Sequence, residues 1–267
     1  KTVINATGVF ADDILQMDKP GSRKRIQPSQ GVHLVFDRSF FPGDDALMIP
    51  ETSDGRVLFA VPWHDKVIVG TTDVQIDSHN TEPKAKEEEV DFIIETFNRF
   101  VETPVTRDDV KSIFAGLRPL AAPDNENGST KEISRGHKIF VGDSDLITIT
   151  GGKWTTYRKV AEDSVNKVIS LGKLPHKECS TESLTIHGAI ETSDNSNHLY
   201  VYGSDRPKLK KLISDNPELG EKIHPSLEYL KVEVLWAARY EMARTVEDVL
   251  SRRVRVLFLD AEASIEM

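Results

Sequence analysis

The stretch Leu146-Ile147-Thr148-Ile149-Thr150-Gly151-Gly152-Lys153-Trp154-Thr155-Thr156-Tyr157-Arg158-Lys159 constrains the folding of this 267-residue chain more than any other. Its apolar, β-branched run ahead of the two glycines reads as a buried strand. Beyond them Tyr157, Val160, Ala161, Val165 and Val168 recur at helical spacing until Gly172 stops the pattern. The unit is strand, Gly-Gly turn, helix. Such a turn lets backbone approach a ligand closely, and the helix N-terminus behind it offers unpaired N–H groups and partial positive charge, a place for an anion. The same spacing also describes a structural glycine turn followed by an exposed lysine.

The rest of the chain divides around this unit. From about Arg25 to Thr72 the pattern is that of an antiparallel sheet: Val32, Leu34 and Phe36 alternate, Val57–Val61 and Val67–Val69 are β-rich, and Pro42-Gly43, Asp54-Gly55 and His64-Asp65 mark turns. The acidic run Glu87-Glu88-Glu89 suits the positive end of a helix dipole. It opens a helix whose face carries Val90, Ile93, Ile94, Phe97, Phe100 and Val101. After a polar linker near Ser180 the chain ends in helices. One lies around Leu227 to Met242, and another opens at Thr245-Val246-Glu247-Asp248 with capping-box form and an apolar face of Val246, Val249, Leu250 and Leu257. Arg252, Arg253 and Arg255 read as its solvated basic surface.

Composition narrows the function classes. A formal net charge of -9 and a pI near 5.4 speak against a protein built to hold nucleic acid. A lone Cys179 excludes an internal disulfide, zinc spacing is absent, and no apolar run approaches the roughly 20 residues that span a bilayer. The chain opens on Lys1-Thr2-Val3-Ile4 without an initiator Met, and so reads as cut from something larger.

Several motifs, in order, carry a resemblance: VINATG at Val3–Gly8, SQGVH at Ser29–His33, VPWHDKVIVGTTD at Val61–Asp73, TRDDV at Thr106–Val110, FAGLRPL at Phe114–Leu120, GGKWTTYRK at Gly151–Lys159 and EMARTVEDVLSRRVRVLFLD at Glu241–Asp260. Together they resemble the C-terminal portion of FAD-dependent glycerol-3-phosphate dehydrogenases, within the D-amino-acid oxidase-like group. The resemblance spans nearly the whole chain. It implies an α+β fold in which residues 1–18 and 112–178 are parts of an FAD-binding domain, 19–111 an inserted antiparallel β substrate domain, and 179–267 a C-terminal helical domain. It implies FAD contacts at Thr7, Gly8, Gly151, Gly152, Lys153, Trp154 and Thr155. No G-x-G-x-x-G is present to hold the ADP half, so this portion alone is expected to bind flavin poorly and to be inactive.

The implied reaction takes hydride from C2 of sn-glycerol 3-phosphate to FAD, yields dihydroxyacetone phosphate and passes electrons to a quinone. A phosphate dianion needs fixed cations, and the resemblance gives Arg118 and Lys153 as substrate contacts. Pro119 disfavours helical geometry at Arg118, which suits presentation from a strand end or turn. Arg135 is a third cation, or a surface arginine before Gly136. His33 is the candidate base, since imidazole can take a proton near neutrality; between Val32 and Leu34 it also reads as a structural residue. Peripheral contact with the inner face of the cell membrane from the cytoplasm, and a homodimer formed through an exposed sheet edge, are further expectations. A related FAD-dependent amino-acid or amine oxidase, and a non-catalytic folding or interaction module, are the alternatives.

Overall fold

A computed structural model of the chain describes residues 2–53, 55–122, 136–191 and 194–267. They form two compact units: Lys1–His33, Gly70–Asp91 and Ala115–Leu184 make the first, and Leu34–Val69, Phe92–Phe114 and Thr185–Met267 the second.

In the first unit a short strand, β1 (Ile4–Asn5), leads through a turn into helix α1 (Ala11–Asp18). Two further strands, β8 (His137–Val141) and β9 (Ile147–Gly151), lie beside it in the order β1-β9-β8. β1 and β9 are parallel, with Ile4 opposite Ile147 and Asn5 opposite Thr148, whereas β8 runs antiparallel to β9. Parallel neighbours bury both faces, and Ile147 and Thr148 are wholly enclosed. The Asn5 amide ties this pair to α1 by donating to the Ala11 carbonyl at 2.9 Å and to Thr148 Oγ1 at 3.3 Å. β9 runs into the double glycine and then helix α3 (Tyr157–Leu171), as the periodicity predicts. Little of α3 is covered: Ser164 is its buried side chain, while Tyr157 and Val165 stand about half exposed.

The first unit also holds the leading part of β2 (Ile26–Asp37), which pairs with β6 (Val74–Gln75) through Ser29↔Gln75 and Gln30↔Val74. Strand β7 (Ser112–Ala121) pairs with β2 as well.

The second unit carries β3 (Leu47–Ile49), β4 (Leu58–Trp63) and β5 (Lys66–Gly70) in the order β3-β4-β5-β2. Along β4 the alternation is clean: Leu58 and Ala60 are buried, Phe59 and Val61 exposed. On β2 the expected alternation is exceeded, because Val35 is as buried as Leu34 and Phe36. Helix α2 (Glu87–Phe97) starts on the acidic run as predicted, and its Phe97 stacks on Phe36 at 5.8 Å. It stops short of Phe100 and Val101. There Asn98 exchanges two hydrogen bonds with the Val105 backbone, at 2.8 and 2.9 Å, and the chain turns away.

The C-terminal part of this unit is helical: α4 (Arg206–Asp215), α5 (Lys231–Tyr240), α6 (Val256–Leu259) and α7 (Ala261–Glu266). One core gathers Leu199, Leu209, Val232 and Trp236, another Leu227, Ala237, Val249, Val254 and Val256. The capping box at Thr245 forms, its backbone N–H donating to Asp248 and its hydroxyl accepting from Asp248 N–H, each at 3.0 Å. The single long helix expected behind it does not form. Asp248–Arg253 is a wide π-type turn, Arg255 adopts φ 61°, and a new helix begins at Val256, leaving Val246 74 % exposed.

Candidate active site

The glycine-threonine segment Gly70-Thr71-Thr72-Asp73, which begins on the last residue of β5, wraps around residues of β2 and β7. Arg118 lies inside β7 rather than at a strand end or turn, because Pro119 excludes helix but fits extended backbone equally well. Its guanidinium donates from Nη2 to Thr71 Oγ1 at 2.9 Å and to the Thr72 carbonyl at 3.1 Å, and from Nη1 to Asp73 Oδ1 at 3.3 Å. Asp73 also accepts from the Ser29 hydroxyl. Gly31 makes room for this cation: a Cβ there would stand 2.2 Å from Nη2. The Arg118–Asp73 pair is about one-third to one-half exposed, so it adds at most about 1 kcal/mol of stability. Its value is in aiming the guanidinium.

His33 sits two residues along β2 from Gly31, and its ring rests on Gly70, where a Cβ would come within 2.4 Å of Cδ2. Burial, and then the positive charge of Arg118, push its pKa down to about 4. At neutral pH the imidazole is therefore uncharged and able to accept a proton. A buried carboxylate supports the cluster from behind. Glu89 accepts from Thr72 Oγ1 at 2.6 Å, from Gln30 Nε2 at 2.7 Å and from Lys86 N–H at 3.2 Å, while Thr72 Oγ1 accepts from Val32 N–H at 2.9 Å. Glu89 thereby ties β2, which carries His33, to the threonine segment.

A second group of predicted residues lies at the carboxyl ends of the parallel pair β1 and β9, where ligands of open α/β sheets bind. Just past β1 lie Thr7, whose hydroxyl donates to Asn5 Oδ1 at 2.8 Å, and Gly8 at φ 63° with open space where a Cβ would stand. β9 ends in Gly151 and Gly152 at φ 70° and 84°, conformations that only glycine adopts freely. Trp154, 86 % exposed, stacks on Tyr157 at 5.3 Å; Lys153 and Thr155 are exposed too. Arg158 and Lys159, in the first turn of α3, pair with Glu162 and Asp163, whereas the Lys153 ammonium pairs with no carboxylate among the described residues. Thr150 Oγ1 is buried without a hydrogen-bond partner among them. Open glycine backbone, an exposed aromatic pair and an unspent cation fit the ring end of a flavin.

The structure thus brings His33 and Arg118 together, and gathers Thr7, Gly8, Gly151, Gly152, Lys153, Trp154 and Thr155 at one strand edge. Gly151 adjoins Ala121, three residues past Arg118 on β7, but no hydrogen bond among the described residues links the Lys153 ammonium to the His33–Arg118 cluster. Arg135 lies outside the described residues. Sequence reasoning missed Gly31, Gly70, Thr71, Asp73 and Glu89. The signal for Gly31 and Gly70 was present as glycines inside strand patterns, which mark close approach.

Comparison with known proteins bears on this arrangement. Residues 1–158 match the family described as FAD dependent oxidoreductase, and residues 145–267 match the C-terminal domain of alpha-glycerophosphate oxidase. A mitochondrial glycerol-3-phosphate dehydrogenase of Arabidopsis thaliana is 35 % identical over 99 % of the chain and 46 % of its own length. That of Rattus norvegicus is 36 % identical over 100 % of the chain and 39 % of its own length. The crystal structure of a glycerol-3-phosphate dehydrogenase from Bacillus halodurans, complexed with FAD, superposes with a TM-score of 0.82 at 29 % identity, covering 99 % of this chain and 55 % of that one. The chain spans less than half the length of these two curated relatives. It belongs to the FAD dependent oxidoreductase family.

Proposed function

We propose that this chain carries the substrate-handling part of a flavin-dependent sn-glycerol-3-phosphate dehydrogenase. The observation that carries the reading is a neutral imidazole, His33, held beside a guanidinium, Arg118, whose position is set by Thr71, Thr72 and Asp73. Arg118 and Lys153, with Arg135 as a third cation, hold the phosphate. Three of the five guanidinium N–H donors of Arg118 are taken, which leaves two unused. His33 takes the proton of the substrate's C2 hydroxyl. A pKa near 4 makes it a weak acceptor on its own; a dianionic phosphate on Arg118 offsets the arginine charge and raises the imidazole toward the working range. FAD, when bound, supplies the acceptor for the hydride leaving C2. Thr7, Gly8, Gly151, Gly152, Lys153, Trp154 and Thr155 are the residues that would hold its ring.

The same reading makes residues 1–18 and 112–178 parts of the FAD domain, 19–111 the substrate domain and 179–267 the helical domain. A quinone as electron acceptor, a place on the inner face of the cell membrane and a homodimer are part of the proposal. No helix among the described residues is long and apolar enough to cross a membrane. Joining the chain to the portion of the Bacillus halodurans relative that it does not cover gives a protein in which the reading can be tested. Arg118→Ala is expected to raise KM for sn-glycerol 3-phosphate at least tenfold, corresponding to about 1.4 kcal/mol of lost binding. An unchanged KM removes Arg118 as the phosphate anchor.

A further inference from the structure

The second unit encloses a cavity of about 870 Å³, within the range of roughly 300–1,000 Å³ typical of small-molecule sites. It shares no residue with the site described above. Its wall combines the β4–β5 turn with the C-terminal helical segment, and carries Trp63, His64, Tyr229 and Arg255.

Two features set it apart from an ordinary gap. His64 and Arg255 both have left-handed backbone, at φ 56° and 61°; histidine takes that region readily in a tight turn, but arginine seldom does, and such residues gather at ligand clamps. The charges lining it are also unevenly settled. Asp65 pairs with Lys66, and Asp205 with His187 and Lys208. Glu233, wholly buried, accepts from Leu230 N–H and Tyr202 and faces His198 Nε2 at 2.7 Å. Arg252 is taken up by Glu247 and Asp248, and Arg253 by Glu241. Arg255 is exposed and has no ion-pair or side-chain hydrogen-bond partner among the described residues.

We propose that this cavity binds a small organic monocarboxylate, its carboxylate on Arg255 and its planar apolar body against Trp63 and Tyr229. One unpaired guanidinium suits a ligand with a single negative charge, since carboxylates at Glu228, Glu233 and Glu241 also line the cavity. A phosphate dianion would leave a surplus beside the buried Glu233 and the half-buried Glu241. Burial first, then His198 and Arg255, push the His64 pKa down against the opposing effect of Asp65. The imidazole therefore stands neutral and offers the carboxylate an N–H rather than a second charge.

The test uses the full 267-residue chain and ligand-observed fluorine NMR with 4-fluorobenzoate as probe. Saturable binding in the millimolar range or tighter is expected, competed by benzoate and not by inorganic phosphate. Arg255→Gly should weaken it at least tenfold while leaving the thermal transition in place, since glycine suits the backbone at φ 61°; Arg255→Gln provides a second variant with the same expectation. The proposal is overturned if no saturable binding occurs, or if either variant binds as tightly as the parent. Equal binding of uncharged 4-fluorobenzyl alcohol overturns the role of the anion, and equal competition by phosphate overturns the carboxylate class.

Discussion

If His33 is held neutral by burial and by Arg118, its titration must leave a mark on stability. Its ordinary pKa of 6.5 falls to about 4 in the folded chain. Between those values the unfolded state binds a proton that the native state does not, so stability rises with pH across the window and is lost as pH falls from 6.5 toward 4. At pH 5.5 the two values correspond to about 1.4 kcal/mol less stability than well above pH 6.5, and the residual exposure of the ring trims this to about 1 kcal/mol. The perturbation is His33→Gln, which removes the titrating group. Urea unfolding of parent and variant at pH 7.5 and pH 5.5 gives the difference of differences, in which other titrating groups cancel. The variant is expected to lose about 1 kcal/mol less than the parent on acidification. Arg118→Gln should recover part of the same amount, because the arginine charge is the second cause of the shift. Parallel pH dependences of parent and His33→Gln would refute the reasoning, as would an imidazole resonance for His33 titrating at 6.5.

The packing sets three further expected outcomes. Gly31→Ala drives a methyl group into the Arg118 guanidinium; since that is the far end of a long side chain whose ion pair is partly exposed, thermal melting should shift little, whereas KM for glycerol 3-phosphate in the FAD-loaded fusion should rise about tenfold or more. Glu89→Ala strands the donors of Gln30, Thr72 and Lys86 and should cost about 2–4 kcal/mol in urea unfolding; a loss under about 1 kcal/mol would show that these groups find other partners. Trp154→Ala, at an exposed position, should change stability by no more than about 0.5 kcal/mol yet weaken flavin retention in the fusion, as read by the flavin released on gel filtration.

Much of the fold was legible where one signal agreed with the next. Ile147 and Ile149 ahead of two glycines, and a helical period behind them, could hardly be anything but β9, a turn and α3. The acidic run at Glu87 placed the start of α2 for the same reason. Its end was not legible, because Phe100 and Val101 continue the apolar period and only the tertiary contact of Asn98 with Val105 stops the helix. The terminal helix failed differently. Arginine is not a residue that announces left-handed backbone, so the break at Arg255 carries no local signal; Arg252, Arg253 and Arg255 read as solvated surface, and Arg252 and Arg255 are indeed exposed, but nothing in their spacing shows that they also line a cavity. At the candidate site the cations and the imidazole stood out by residue type. Their supports did not: Thr71, Asp73 and Glu89 acquire meaning only once β2, β7 and the segment after β5 are brought together.

Anaerobic mixing of the FAD-loaded fusion protein with sn-glycerol 3-phosphate, monitored by the flavin absorption, decides whether His33 and Arg118 serve a glycerol-3-phosphate dehydrogenase. Stoichiometric bleaching by this substrate is expected, slowed at least tenfold in His33→Gln at pH 7, with the oxidised spectrum returning when a quinone is added. An oxidised spectrum that glycerol 3-phosphate leaves unchanged, but that an amino acid bleaches, would contradict that role and move the site to the chemistry of the amino-acid oxidases.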